Sequence, residues 1–448
     1  MNLPQEFIDR MAAQLGDELP AFLRSYEESY HRGLRVNPFK GGRELAAAAL
    51  GAELLEQIPW EEDVFYLAQE SRAGAAALHE AGAWYLQEPS AMIPAAVLAP
   101  KPGEHVLDLC AAPGGKSTQL GLRMAGQGTL ICNEPIRDRA KILSRNVERM
   151  GIPNTLVTCA YPDELARCWP EAFDAIQCDA PCSGEGMFRR HPETRSEWSP
   201  ESPAGCAKRQ REILGEAAKM LRPGGRLVYS TCTLNRVENE GVVEAFLAAH
   251  PDFELRAFEL PGLAAPWGML TIYPHRVRGE GHFVALLARR GQGSGMAWKV
   301  PQMDKRVQGV LAEAKRAFPR AGAANCLHPA GRDDRFESWT LHCLPELPEG
   351  KLPRVLRWGL HMGEYKKPAG RAGKAVFTPD HAWAESIFPP EMPRIDLTEE
   401  QARLYQAGQT IPAEGKGWAL ACFAGVVLGW GKISEGMMKN HYPKGLRR

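Results

Sequence analysis

Several residues that follow short apolar runs in this chain could do chemistry: the cysteines Cys110, Cys182 and Cys232, the acids Glu134 and Asp179, and Lys116. Cys182 closes Asp179-Ala180-Pro181-Cys182, and Cys232 follows Ser230-Thr231. A thiol attacks only as thiolate, and with an ordinary pKa of about 8.5 only a few per cent is ionised at neutral pH. One of these thiols therefore needs a nearby cation or a proton transfer, and Lys116 is the nearest cation by chain topology. A lone buried cysteine is more often a small hydrophobe, which is the reading for Cys132, Cys159, Cys178 and Cys326. The 11 cysteines are odd in number, scattered, and contain no C-x-x-C pair, so they read as reduced thiols without a metal site.

The stretch His105 to Lys116, HVLDLCAAPGGK, must position this chemistry. Val106, Leu107 and Leu109 suit a strand buried on both faces. Ala111, Ala112, Pro113, Gly114 and Gly115 remove bulk where the chain turns, and helical spacing resumes with Leu120 and Met124. A strand, a bare turn and a helix N-terminus form a crevice at the carboxyl edge of a parallel sheet. Gly115-Lys116-Ser117 looks like the tail of a P-loop, but the upstream glycine that motif needs is replaced by Cys110. Glu134 ends the following strand, where an acid meets the hydroxyls of a nucleoside ribose; a solvated strand-end acid is the competing reading. A ribose-bearing methyl donor without phosphate fits such a turn, and S-adenosylmethionine is the natural candidate.

The elements alternate around that turn. Strands are expected at Thr129 to Asn133, Thr155 to Thr158, Phe173 to Cys178 and Arg226 to Ser230. Between them run helices, one with Ile136, Ala140, Leu143, Val147 and Met150 on its buried face, another ending at Pro223-Gly224-Gly225. This predicts an α/β fold with a Rossmann-like, doubly wound parallel sheet, closed by Phe283 to Leu287 as a final edge strand. Residues 1–100 read as a mostly helical flanking region, with an extended break before Pro38. Residues 101–290 form the core, 291–310 a linker, and 311–448 a small, mostly β domain.

The totals exclude whole classes. At 448 residues the chain exceeds one core, and its 44% hydrophobic and 24% charged content is that of a globular protein. The most apolar tract, Leu45 to Leu55, is short and interrupted by Gly51 and Glu53, so no membrane span is expected; the expected setting is cytoplasm. With a formal net charge of zero, a nucleic acid would have to be held by local basic patches. Candidates are Arg189, Arg190 and His191, then Lys351, Arg354, Arg357, Lys366, Lys367, Arg371 and Lys374, and the tail with Lys432, Lys439, Lys444, Arg447 and Arg448. Each has an ordinary solvated surface as its competing reading.

DLCAAPGGKST, DAPCSGEGMFR and YSTCT, in this order, resemble the RNA cytosine carbon-5 methyltransferases. Arg35-Val36-Asn37, Gln87 to Met92 and Gly279 to Phe283 resemble that family's flanking segments. Lys439 to Arg447 resembles the PUA-like RNA-binding module of its small-subunit rRNA branch. The resemblance implies a Cys232 nucleophile that adds to cytosine carbon 6, Asp179 holding the pyrimidine, and Cys182 serving product release. It implies donor contacts from Cys110, Ala111, Ala112, Pro113, Gly114, Gly115, Lys116 and Asp179, ribose contacts from Glu134, and Arg139 as a further donor contact. Relatives place an Asp at the adenine amino group, whereas this chain has Tyr161 there and Asp163 two residues on. The implied partner is RNA, 16S rRNA or the small ribosomal subunit, met by a monomer at an unpaired or flipped base. Alternatives are the same chemistry on tRNA, a catalytically silent assembly factor, and a P-loop nucleotidase.

Overall fold

The structure is a computed structural model that describes residues 3–301, 326–333, 336–368 and 376–447. Five parallel strands form its centre, in the spatial order Leu221–Thr231, Phe173–Asp179, His105–Asp108, Thr129–Asn133, Thr155–Thr158. The chain runs outward from His105–Asp108 to Thr155–Thr158, then crosses back to Phe173–Asp179 on the other side. Strand order therefore reverses at His105–Asp108, the position at which open parallel sheets bind their ligands.

Helices cover both faces, as a doubly wound sheet requires. One face buries Trp169, Phe173, Leu214, Tyr229 and Phe283; the other buries Met92, Ile93, Leu120, Leu143 and Val147. A fully buried side chain of this size contributes roughly 1.5–3 kcal/mol, so the two clusters stabilise the sheet edge that carries the site. The helix Arg137–Arg149 buries Ala140, Leu143 and Val147 as its spacing predicts. Ile136 lies outside it and is 56% exposed, because its backbone is extended just before the first turn.

The structure corrects several sequence expectations. The N-terminal region adds to its expected helices a four-stranded antiparallel sheet of Leu54–Gln57, Val64–Leu67, Arg32–Val36 and Trp84–Gln87, an α+β arrangement. Val64–Leu67 is buried along its whole length, so it shows no two-residue alternation to betray a strand. His282–Arg289 is not an edge strand, because it pairs antiparallel with Leu221–Thr231 and also with Phe253–Leu255 and Met269–Ile272. The helix expected to reach Pro223 ends at Met220, and Leu221 already pairs with Phe173. Cys159 is only half-buried, with its thiol donating to Pro135 O at 3.3 Å.

Downstream, among the described residues, a four-stranded sheet runs from Cys326–Asp333 to Val376–Pro379 and a five-stranded one from Arg394–Asp396 to Met437–Asn440, and Trp298–Lys299 pairs with Leu347–Pro348. Val355–Trp358, read as part of the C-terminal β region, instead adds antiparallel to Thr155–Thr158 at the edge of the central sheet. Arg371, Lys374, Arg448 and the 302–310 part of the expected linker lie outside the described residues, as do the side chains of Cys326 and Lys367. Among the described residues no helix is long and apolar enough to cross a membrane.

Candidate active site

The turn after Asp108 is built by backbone demands. Leu109 N donates to Gln177 O and Ala111 N to Asn133 O, both at 2.9 Å, so the chain stays between its neighbouring strands until Ala111. Gly114 then takes φ +114°, a conformation that side chains disfavour, and opens the helix Gly115–Arg123. Buried Arg35 braces the turn from the N-terminal sheet: Nη1 donates to Gly115 O at 2.8 Å and to Gln87 Oε1 at 3.0 Å, and Nη2 to Thr118 Oγ1 at 2.6 Å. The available signal for that role was Arg35 between the apolar Leu34 and Val36.

A cleft of about 230 Å³ opens over the turn. Cys110, Ala111, Ala112, Pro113, Gly115 and Lys116 line it, with Asp108 and Asp179 at its floor, while Gly114 is buried behind. Asp108 Oδ2 accepts from Ser117 Oγ at 2.6 Å, but Oδ1 is buried with no partner among the described residues. Burial pushes the Asp108 carboxyl up to about 7, against the pull of that hydrogen bond. Cys110 is held well above the ordinary thiol range by its hydrogen bond with Cys178 and by burial, so it is wall rather than nucleophile.

Beside the cleft stands an ion pair. Lys116 Nζ lies 2.7 Å from Asp179 Oδ2, and Ser230 Oγ donates to Asp179 Oδ1 at 2.7 Å. Burial opposes both charges. The Lys116 cation nevertheless holds Asp179 below the usual carboxylate value, and Asp179 holds Lys116 above the usual amine value. Negative charge on Cys232 also stabilises the Lys116 cation, which places the two in one electrostatic unit. A lysine so engaged is not a free phosphate ligand, which removes the P-loop reading.

The two strand-end cysteines meet, with Cys182 Sγ 3.3 Å from Cys232 Sγ. The hydrogen bond to Cys232, then burial, raise Cys182 well above the ordinary thiol value. Cys182 therefore keeps its proton, and the two sulfurs lie within hydrogen-bond reach with either able to donate. An S–H donor is what a neighbouring thiolate needs.

Other expected contacts are placed differently. Glu134 is buried, accepts from Ile136 N at 2.9 Å and pairs with Arg139 at 3.2 Å; Arg139 also reaches Ala112 O at 3.3 Å. The two sit together beside the turn, yet neither lines the cleft. Tyr161 is 66% exposed, and Asp163 pairs with Arg167 at 2.8 Å on the surface, so neither lines the cleft as an adenine contact.

Arg190 and His191 line the cleft, with the Arg190 guanidinium 5.2 Å from the Tyr30 ring centre. Arg189 does not reach RNA: it is buried against Glu280 at 2.8 Å and donates to Ser25 O and Gly279 O. Adjacent side chains of one turn cannot all face the same way. Arg189→Ala strands a buried carboxylate, at a cost of about 3–5 kcal/mol. The expected result is a lower melting temperature with RNA affinity unchanged per folded molecule; a selective loss of RNA binding would reverse this placement. Among the described residues no His/Cys/Asp/Glu group could hold a metal ion.

Comparison with known proteins adds independent findings. Residues 95–288 match the family model described as 16S rRNA methyltransferase RsmB/F. Residues 3–89 match the N-terminal domain of 16S rRNA methyltransferase RsmF, and 393–448 the methyltransferase RsmF PUA domain. The chain is 33% identical to ribosomal RNA small subunit methyltransferase F of Klebsiella pneumoniae, covering 99% of this chain and 96% of that protein. It is 34% identical to the protein of the same name from Salmonella arizonae, covering 99% and 97%. The solved structure of a methyltransferase homolog protein from Pyrococcus horikoshii is 28% identical, with a TM-score of 0.56, covering 64% of this chain and 95% of that one.

Proposed function

The chain belongs to the 16S rRNA methyltransferase RsmB/F family, and from that premise we propose that it methylates carbon 5 of a cytosine in 16S rRNA through a covalent Cys232 adduct. The observation that carries this reading is the Cys182–Cys232 contact of 3.3 Å beside the Lys116–Asp179 pair and the cleft. The residues present fit S-adenosylmethionine. The unpartnered Asp108 Oδ1 suits an ammonium or sulfonium charge, and the turn carries no free cation for a phosphate. When bound, the donor supplies an electrophilic methyl group.

Carbon 5 of cytosine is a poor nucleophile until carbon 6 is attacked. The Cys232 thiolate, steadied by the Cys182 S–H and the Lys116 cation, forms the bond to carbon 6. The carbon 5–carbon 6 pair then moves to carbon 5 for methyl transfer, while Asp179 holds the pyrimidine near ring nitrogen 3. Bond formation at Cys232 removes the contact that most strongly keeps Cys182 protonated. Cys182 then releases its proton to solvent water, and the resulting thiolate accepts the carbon 5 proton. The pair from that C–H bond restores the ring double bond, and the pair from the carbon 6–sulfur bond returns to Cys232.

In this reading residues 101–290 carry the chemistry, and residues 1–100 and 311–448 flank it and hold the RNA. Glu134 and Arg139 steady the ribose end of the donor. The protein acts as a monomer in the cytoplasm. A silent assembly factor is disfavoured because the chain retains Cys182, Cys232, Asp179 and Lys116. Incubation with radiolabelled donor, then nuclease digestion, is expected to yield labelled 5-methylcytosine from small-subunit rRNA. A donor-binding protein that labels no RNA overturns the reading, and label confined to tRNA moves the substrate to tRNA.

A further inference from the structure

The contact between the two thiols depends on four segments of chain that a single buried dipeptide ties together. Cys182 and Cys232 lie on separate strand ends, and neither backbone holds the other's side chain directly. The residues on either side of each cysteine are instead held by Glu238 and Asn239, both completely buried. Glu238 Oε2 accepts from Ser183 N at 3.0 Å and from Gln210 Nε2 at 2.9 Å, and Glu238 Oε1 accepts from Ser183 Oγ. Gln210 Nε2 also donates to Pro181 O at 3.0 Å. The residues before and after Cys182 are thus clamped by one carboxylate and one amide.

Asn239 does the same for Cys232. Its Oδ1 accepts from Thr231 Oγ1 at 2.6 Å, and its Nδ2 donates to Thr233 O at 3.0 Å. The Ser183 hydroxyl, whose proton goes to Glu238, accepts from Thr233 Oγ1 at 2.9 Å and joins the two halves. The dipeptide is itself anchored, with Tyr229 Oη donating to Glu238 O at 2.6 Å and Asn239 N to Asn235 O at 3.0 Å. A buried network of this kind, in which Gln210 Oε1 is left without a partner among the described residues, fixes geometry rather than adding stability.

Resting on the covalent reading above, we propose that Glu238, with Gln210, positions Cys182 for product release, while Asn239 positions Cys232 for attack. The two neighbours therefore act on different halves of one reaction. Neither touches the base. The Glu238 charge also helps keep Cys182 protonated, which favours Cys232 as the attacking thiol.

The division of labour makes the inference testable, because loss of a purely structural network would slow both halves alike. Glu238→Gln places an amide N–H against converging donors. It is expected to accumulate RNA-linked protein on denaturing gels and to slow turnover about ten-fold or more, with single-turnover adduct formation within about three-fold of wild type. Asn239→Asp sets a carboxylate against Thr233 O and is expected to slow adduct formation about ten-fold without accumulation. Glu238→Gln in a Cys182→Ala background is expected to change turnover no further, as residues acting through one another do not add.

Ser183→Ala removes only the shared hydroxyl and is expected to repeat the Glu238→Gln accumulation more weakly, which keeps the test open if the buried change prevents folding. Equal slowing of both halves, or additive loss with Cys182→Ala, overturns the proposal. An adduct from Cys182→Ala but none from Glu238→Gln or Ser183→Ala overturns it while sparing the covalent reading. No adduct from Cys182→Ala sinks both.

Discussion

A Cys182→Ala protein is expected to stay bonded to its RNA, turning a catalyst into a trap. In the proposed covalent reading, attack and methyl transfer use Cys232, Asp179 and Lys116, all of which remain. The S–H beside Cys232 is lost together with the acceptor for the carbon 5 proton, so attack is slowed less than release and the reaction stops at the methylated adduct. The expected readout is a protein–RNA band that survives boiling in detergent, with multiple turnover reduced by about 10³-fold or more, the scale of losing a group that acts as part of a catalytic unit. Cys232→Ala is expected to abolish both band and turnover, alone or combined with Cys182→Ala. A band that persists without Cys232 would exchange the two assignments. The 3.3 Å contact makes this a demanding test, since either sulfur lies close enough to substitute for the other on distance alone.

Lys116→Met is expected to damage stability and rate together. The change leaves Asp179, whose side chain is 29% exposed at the cleft, without its cation, at a cost of about 1–3 kcal/mol for the removal of one partner of a partly buried pair. Asp179 would then either take up a proton or turn away from the base, and the neighbouring Cys232 would lose a cation from its surroundings. A fall in kcat of about 10²-fold or more is expected, with donor affinity changed less, because the turn is held mainly by Arg35 and Gly114.

The pH dependence carries the sign of each shift. Asp179 sits below its unfolded value, so its contribution to stability is complete above that value and is lost as pH falls through the folded one. Lys116 sits above its unfolded value, so its contribution is complete below that value and is lost as pH rises through the folded one. The pair is therefore intact across the neutral range. In Lys116→Met the Asp179 carboxyl should titrate at higher pH than in wild type. Wild-type kcat from Lys116→Met would remove the lysine from the reaction.

The turn, the strand ends and the order of the core elements were legible from the residues alone. Buried strands such as Val106 to Leu109 announce themselves by apolar content, and Gly114 by a backbone conformation that few residues tolerate. These are local constraints, written in consecutive residues. The Arg32–Val36 strand was legible as the extended break before Pro38, whereas Val64–Leu67 was not, because four buried residues carry no period that separates strand from helix. Nor was Val355–Trp358, whose place on the central sheet depends on a partner strand about two hundred residues earlier.

The same boundary runs through the site. Residue types and order alone pointed to Cys182, Cys232, Asp179 and Lys116, because thiol and charge chemistry follow from identity. Only the tertiary structure decided that Arg189 is buried while Arg190 faces the cleft, and that Tyr161 and Asp163 face away from it. It alone showed Glu238 and Asn239 gripping the neighbours of both cysteines. The reason is physical: a side chain's chemistry travels with its identity, but its direction and partners are set by packing between segments distant in the chain.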